Sequence, residues 1–166
     1  TKHTDGVFGT TGIEFNKEHA DRSIRLIGSK LQEINSADII CGVGLHHYSQ
    51  NIKHVNNEYR CVRGPLSLKW LKSSGVETKD TFMGDPALLL SMFYEPKNIK
   101  ALNNKTGVIP HISNISYFED QVCNNESLHL INPTDRWESV IDQIFSCNQI
   151  ISSSLHGLIC SDAYSK

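Results

Sequence analysis

The apolar positions of this chain change period several times, and the changes outline its elements. Ile24, Leu26, Ile27, Leu31 and then Ile34 fall toward one side of a 3.6-residue repeat with Lys and Arg between them, which predicts a helix over residues 19–33. ADIICGVGL follows, a short continuous apolar run ending in glycines, as expected of a strand buried on both faces. YRCVRG, from Tyr59, reads as a second strand, and Pro65 suits the first position of a helix through LSLKWLKSS. In that helix Leu66, Trp70 and Leu71 point inward, and Gly75 is a natural stop. The pattern then weakens over residues 91–105, a polar stretch that reads as a linker or hinge.

Beyond it, TGVIPHI and LHLINP are strands, and WESVIDQIFSC carries Trp137, Val140, Ile141, Ile144 and Phe145 at helical spacing. NQIIS is a strand that runs into a helix over SLHGLICSDAY. Strands alternating with helices predict an α/β fold with mostly parallel sheets. The break divides it into residues 1–90, a linker over 91–105, and residues 106–166.

Composition narrows the class without changing this picture. The 166 residues are 39% hydrophobic and 20% charged with a net charge of -2, ordinary for a globular protein and without the basic field a nucleic-acid partner needs. No apolar stretch approaches the ~20 residues of a membrane span. The N-terminal TKHTDGVFGTTG has no apolar core of a signal peptide. The five cysteines are odd in number and show no C-x-x-C spacing, which argues for buried thiols in a reducing compartment rather than disulfides or a zinc site.

Five places carry candidate chemistry. In IISSSLHG, Ser152, Ser153 and Ser154 lie at a strand-to-helix turn, with His156 in the first turn and Gly157 beside it. Serine caps helices by accepting an orphan N–H. The same N–H groups and the helix dipole can hold an anion instead. Both readings are open on spacing alone, and the turn stands at a strand's carboxyl end, where α/β sheets gather their sites. Arg63 stands at another such junction, able to grip a carboxylate or phosphate or to pair on the surface. Gly84-Asp85-Pro86 is a turn in which Asp85 caps the next segment or positions a sugar hydroxyl. GVGLHH resembles a dinucleotide fingerprint only weakly, because His47 replaces the third glycine, and the adjacent His46 and His47 would diverge rather than share a metal. His111 is a lone histidine just past a strand.

Taken together, IICGVGL, VRGPLSLKWLKSSGVE, GDPALLL, GVIPHIS and DQIFSCNQIISSSLHGLICSDAY resemble, in order, the polysaccharide pyruvyl transferase family. The resemblance covers the last two-thirds of the chain, from about Ala37. It implies a fold like the two-lobed GT-B glycosyltransferases, with a Rossmann-like sheet in each lobe. It also implies a fragment, lacking an N-terminal strand–helix portion and the segment after the S-L-H-G helix.

The implied reaction moves the enolpyruvyl unit of phosphoenolpyruvate onto a sugar of a polysaccharide or lipid-linked glycan, with phosphoenolpyruvate as co-substrate and no other cofactor or metal. His156 takes the acid/base role. Arg63, Ser153, Ser154, Gly157 and His111 form the donor-binding set. Some relatives carry Arg where this chain has Ser154, so a cation is missing there and His111 becomes a candidate to replace it. A lipid-linked acceptor would bring a cytoplasmic enzyme to the inner face of the membrane. Two other functions fit the same segments: a nucleotide-sugar-dependent glycosyltransferase of GT-B type, and a non-catalytic sugar-binding relative.

Overall fold

A computed structural model describes residues 24–29, 31, 34, 36–46 and 56–166. The described residues fall into two units, one ending at Pro86 and one running from Ala87 to Lys166. Both are built on parallel strands, as the alternation of strand and helix patterns predicts.

The first unit holds a four-stranded sheet in the order β1-β2-β3-β4, formed by β1 (Ile24–Arg25), β2 (Ile39–Val43), β3 (Glu58–Val62) and β4 (Phe82–Met83). All three pairings are parallel, with Ile24 opposite Ile39, Ile40 opposite Tyr59 and Cys61 opposite Phe82. The helix α1 (Pro65–Ser73) links β3 to β4 and buries Trp70 and Leu71. These pack with Leu31, Ile34, Ile40, Val43, Tyr59, Val62 and Val76 in one core. Leu71 and Val62 are fully buried, each worth roughly 1.5–3 kcal/mol. Leu66, expected inward, is exposed, because it precedes by one position the row on which Ser67, Trp70 and Leu71 face the sheet.

The ends of α1 follow its sequence signals. Pro65 opens it, where its missing N–H costs nothing. Gly75 closes it at φ +81°, its N–H bonding Lys72 O, while Val76 N–H bonds Leu71 O. That pair of bonds is a Schellman stop, and the buried Leu71 and Val76 supply the apolar contact that accompanies it.

The helix expected over residues 19–33 is corrected where it can be seen. Ile24–Arg25 is a strand on β2, with Arg25 held by the buried Asp38 carboxylate at 3.0 Å. The apolar residues that mimic a helical stripe serve two purposes here: Ile24 belongs to the pairing strand, and Leu31 and Ile34 belong to the core. The rest of that prediction, and His47, lie mostly outside the described residues.

The second unit has a three-stranded parallel sheet in the order β6-β5-β7, from β5 (Thr106–Ile109), β6 (Leu128–Leu130) and β7 (Gln149–Ser152). The central β5 buries Gly107, Val108 and Ile109. Helix α2 (Ile115–Cys123) connects β5 to β6, α3 (Trp137–Ser146) connects β6 to β7, and α4 (Leu155–Ala163) follows β7. The predicted apolar row of α3 is buried at Val140, Ile141 and Ile144. Residues 91–105, read as a linker or hinge, are tied to α3. Tyr94 Oη and Lys97 N donate to Asp142 Oδ1 at 2.8 and 2.9 Å, and Ile99 N donates to Ser146 Oγ at 2.7 Å. Tyr164, just after α4, donates to Tyr94 O at 2.8 Å. No described helix is long and apolar enough to cross a membrane.

Candidate active site

The carboxyl ends of the first unit's strands gather Gly44, Arg63 and Asp85. Arg63 follows β3 directly, and its N–H donates to Val43 O, which ties the β3 end to β2. Its side chain turns back over β2. Nη2 donates to Ser29 Oγ at 2.8 Å, and the guanidinium lies against Gly44 so closely that a Cβ there would overlap it. Among the described residues Arg63 Nη1 is buried without a hydrogen bond. Burial pushes the Arg63 guanidinium below its ordinary value, and the nearby Asp85 carboxylate offsets part of that.

Asp85 is itself buried, in the turn after β4. Gly84 N–H bonds Val62 O at 3.0 Å and Cys61 Sγ donates to Gly84 O at 3.5 Å, so β3 holds the turn from both sides. The glycine that suggested a dinucleotide loop, Gly42, has a different reason to be there. Its φ is +107° at the irregularity in β2, and a Cβ would run into the Pro86 ring.

The second unit repeats the placement at the ends of β5 and β7. Three serines brace the turn into α4. Ser152 Oγ lies 2.9 Å from Ile109 O and 3.0 Å from Ser154 O, and accepts from Ser154 N at 3.0 Å. Ser153 N donates to Ile109 O, and Ser153 Oγ accepts from His111 N at 2.8 Å. Ser154 is the N-cap of α4, its hydroxyl accepting from Gly157 N at 3.4 Å.

The capping reading of Ser154 is therefore the observed one. The amides of Ser153 and Ser154, expected to help hold an anion, are already bonded within the turn, and Ser154 is buried. Ser153 is exposed, and its hydroxyl, which accepts from His111 N, still carries a hydrogen to donate.

His156 is buried in the first turn of α4, at the end where the helix dipole is positive. Gly157 lets the helix approach the strands: a Cβ would meet Ser152 Oγ and come within 3.1 Å of Ile109. His111 is exposed just past β5 and caps the short turn Ile112–Asn114, Nδ1 accepting from Ser113 N at 3.3 Å. An N–H donor on Nδ1 leaves Nε2 to carry the hydrogen of the neutral ring.

The sequence model of the polysaccharide pyruvyl transferase family matches residues 25–166, a span that contains both strand-end clusters. The chain belongs to the polysaccharide pyruvyl transferase family. A relative, "Uncharacterized protein L143" of Acanthamoeba polyphaga mimivirus, is 30% identical over 138 residues, which are 81% of this chain and 48% of the relative. The chain thus spans about half the length of the curated relative it matches. No solved structure matches.

In this pyruvyl transferase family member, the candidate residues divide between the two units. Arg63 and Asp85 stand in the first, and His111, Ser153, Ser154, His156 and Gly157 in the second. Three contributors were not singled out for these roles by the sequence: Ser29, Gly44 and the bracing hydroxyl of Ser152. Gly44 was visible as a glycine at a strand's end, but its role depends on a side chain from the neighbouring strand's end. Ser29 has no sequence signal. No group of three or more His, Cys, Asp or Glu among the described residues could hold a metal ion.

Proposed function

We propose that the protein is a transferase that moves the enolpyruvyl unit of phosphoenolpyruvate onto a sugar of a polysaccharide or lipid-linked glycan, forming a pyruvate ketal and releasing phosphate. The observation that supports this most is His156, a buried histidine in the first turn of α4 at the carboxyl end of β7, in a chain of this family. In this reading the two parallel-sheet units are Rossmann-like lobes of a GT-B-like fold, and the enzyme is cytoplasmic, meeting lipid-linked acceptors at the inner membrane face.

The chemistry asks for three things. The donor's phosphate and carboxylate need positive groups and N–H or O–H donors. In the second unit Ser153, with its exposed hydroxyl, and His111 Nε2 are candidates to meet that need, and in the first unit Arg63, whose Nη1 lacks a protein partner among the described residues, is another. Ser154 and Gly157 act through the turn, one by capping α4 and the other by letting it pack on Ile109.

The methylene carbon must next take a proton, which leaves positive charge on the carbon bearing phosphate and carboxylate. His156 delivers that proton, and a sugar hydroxyl bonds to the cationic carbon. A second hydroxyl then replaces phosphate, which leaves with the electrons of its C–O bond. One hydroxyl proton restores His156 and the other leaves on phosphate, so the reaction balances with no further reagent. General acid/base help of this kind is worth ~10²–10⁴-fold in rate.

The test is phosphate release from phosphoenolpyruvate by the full-length protein with candidate sugar acceptors. Acceptor-dependent release that His156→Ala slows by ~10²–10⁴-fold is expected. Tight binding of a nucleoside diphosphate with no response to phosphoenolpyruvate would point to a glycosyltransferase instead.

A further inference from the structure

The Arg63 guanidinium is fixed by its surroundings to an unusual degree for a long side chain. Arginine gives up much rotamer freedom when it is held in one pose, so something must hold it. Two contacts from outside its own strand do so. Ser29 Oγ takes the hydrogen of Nη2 at 2.8 Å. Gly44, at the end of the adjacent strand, leaves room for Nη2, Nε and Cζ in the volume its own side chain would fill.

The glycine has no conformational reason to be there. Gly42, two residues earlier, has a positive φ, and Gly44 does not. Its N–H and C=O are used in ordinary backbone bonds, with Gly28 O and Leu31 N. What only glycine provides at this position is space for the guanidinium.

We infer that Gly44 and Ser29 are positioning residues for Arg63, holding its guanidinium flat against the end of β2 so that Nη1 is the group left to meet an anionic oxygen. This rests on the donor-binding role given to Arg63 above, and it adds two residues to the site that touch no substrate themselves. Asp85, from the turn after β4, balances the charge of the held guanidinium. The arrangement separates two tasks on one side chain: Nη2 is anchored, and Nη1 recognises. Lysine could not do both, because a single ammonium has no fixed fork.

The experiment is a double-mutant cycle on the full-length protein with Gly44→Ala and Arg63→Ala, read by thermal unfolding and by the KM for phosphoenolpyruvate. Gly44→Ala alone is expected to lower Tm and to raise the donor KM, by as much as ~10²-fold for a displacement of about 1 Å. The acceptor KM should stay within about twofold, since a general packing defect, but not a displaced donor clamp, would move both substrates.

In the Arg63→Ala background the added methyl fills space the guanidinium has left, so Gly44→Ala should cost nothing further in Tm. That background also supplies a folded protein should the single variant fail to fold. Ser29→Ala should raise the donor KM in the same direction with a smaller change. Additive Tm losses from the two substitutions would overturn the positioning claim. A donor KM unchanged by Arg63→Ala would instead overturn the donor role of Arg63, while the Tm cycle would still decide whether Gly44 seats it.

Discussion

Gly157→Ala is a substitution whose sign distinguishes this structure from an ordinary helix. In an open helix the change stabilises by about 1 kcal/mol, because glycine has the larger backbone entropy to lose. Here the new Cβ would meet Ser152 Oγ and lie 3.1 and 3.3 Å from two atoms of Ile109. Ser152 cannot turn away cheaply. Its hydroxyl accepts from Ser154 N and lies within bonding distance of Ile109 O and Ser154 O.

Losing about two such bonds costs about 2 kcal/mol, and overpacking against Ile109 adds roughly 1–3 kcal/mol. Against the gain in propensity, the expected net loss is about 2–4 kcal/mol. The reporter is built in, since the chain has two tryptophans, Trp70 in the first unit and Trp137 in the second. In a Trp70→Phe background, urea unfolding followed by Trp137 fluorescence reads the unit that contains α4. In a Ser152→Ala background the cost of Gly157→Ala should shrink by about 2 kcal/mol, because the hydroxyl that the methyl meets is gone and only the contact with Ile109 remains. A stabilised Gly157→Ala, or a loss that Ser152→Ala leaves unchanged, would refute the packing of α4 on these strands.

Gly75→Ala tests the opposite case, since a Cβ there meets nothing within 4 Å but the φ of +81° is left-handed. It should destabilise the first unit by roughly 1–2 kcal/mol, measured by urea unfolding followed through Trp70, with no effect on the second-unit signal. The alkaline limb of stability should also fall in a defined window. Burial, and then the bond to Asp142, push Tyr94 from 10.0 up to about 12, and burial does the same to Tyr59. Between those values the unfolded chain gives up protons that the folded one keeps, so the share of stability that depends on these two tyrosines is intact below pH 10 and is lost from there to about pH 12. Tyr94→Phe should flatten that decline in the second unit, and a slope unchanged by the substitution would contradict the assignment.

The elements legible in the sequence were those whose local signals agreed with their tertiary setting. Pro65 and Gly75 bracket α1 because a proline lacks the donor a helix start cannot use and a glycine accepts the left-handed stop. The run IICGV reads as β2 because a strand between two others is apolar along its length. Where the signals conflicted, pairing prevailed: Ile24 lay on a helical stripe, yet its place opposite Ile39 made it a strand. Helix α2 was not read at all: its inward row is only Ile115, Phe118 and Val122, of which Val122 alone is fully buried, and the exposed Tyr117 and Cys123 lie off that row and blur so short a pattern.

The placement of the candidate residues was legible in a similar way. His111, Ser153, His156 and Arg63 could be placed at strand ends from the run of elements alone. The work done by Ser152, Ser29 and Gly44 could not, since each acts on a group many residues away that the fold brings to it: Ile109 O for Ser152, and the Arg63 guanidinium for Ser29 and Gly44. Ser154 shows the limit from the other side. A serine at that position can cap a helix or bind a ligand, and only its bond to Gly157 N reveals the cap.

The most direct measurement of the central claim is phosphate release from phosphoenolpyruvate by the full-length protein with a sugar acceptor, comparing wild type with His156→Ala. The account predicts release that requires the acceptor and that falls by ~10²–10⁴-fold in the variant, with the fold intact by circular dichroism. Equal rates in the two proteins would contradict the role of His156, and no turnover of phosphoenolpyruvate by wild type with any glycan acceptor would contradict the proposed reaction.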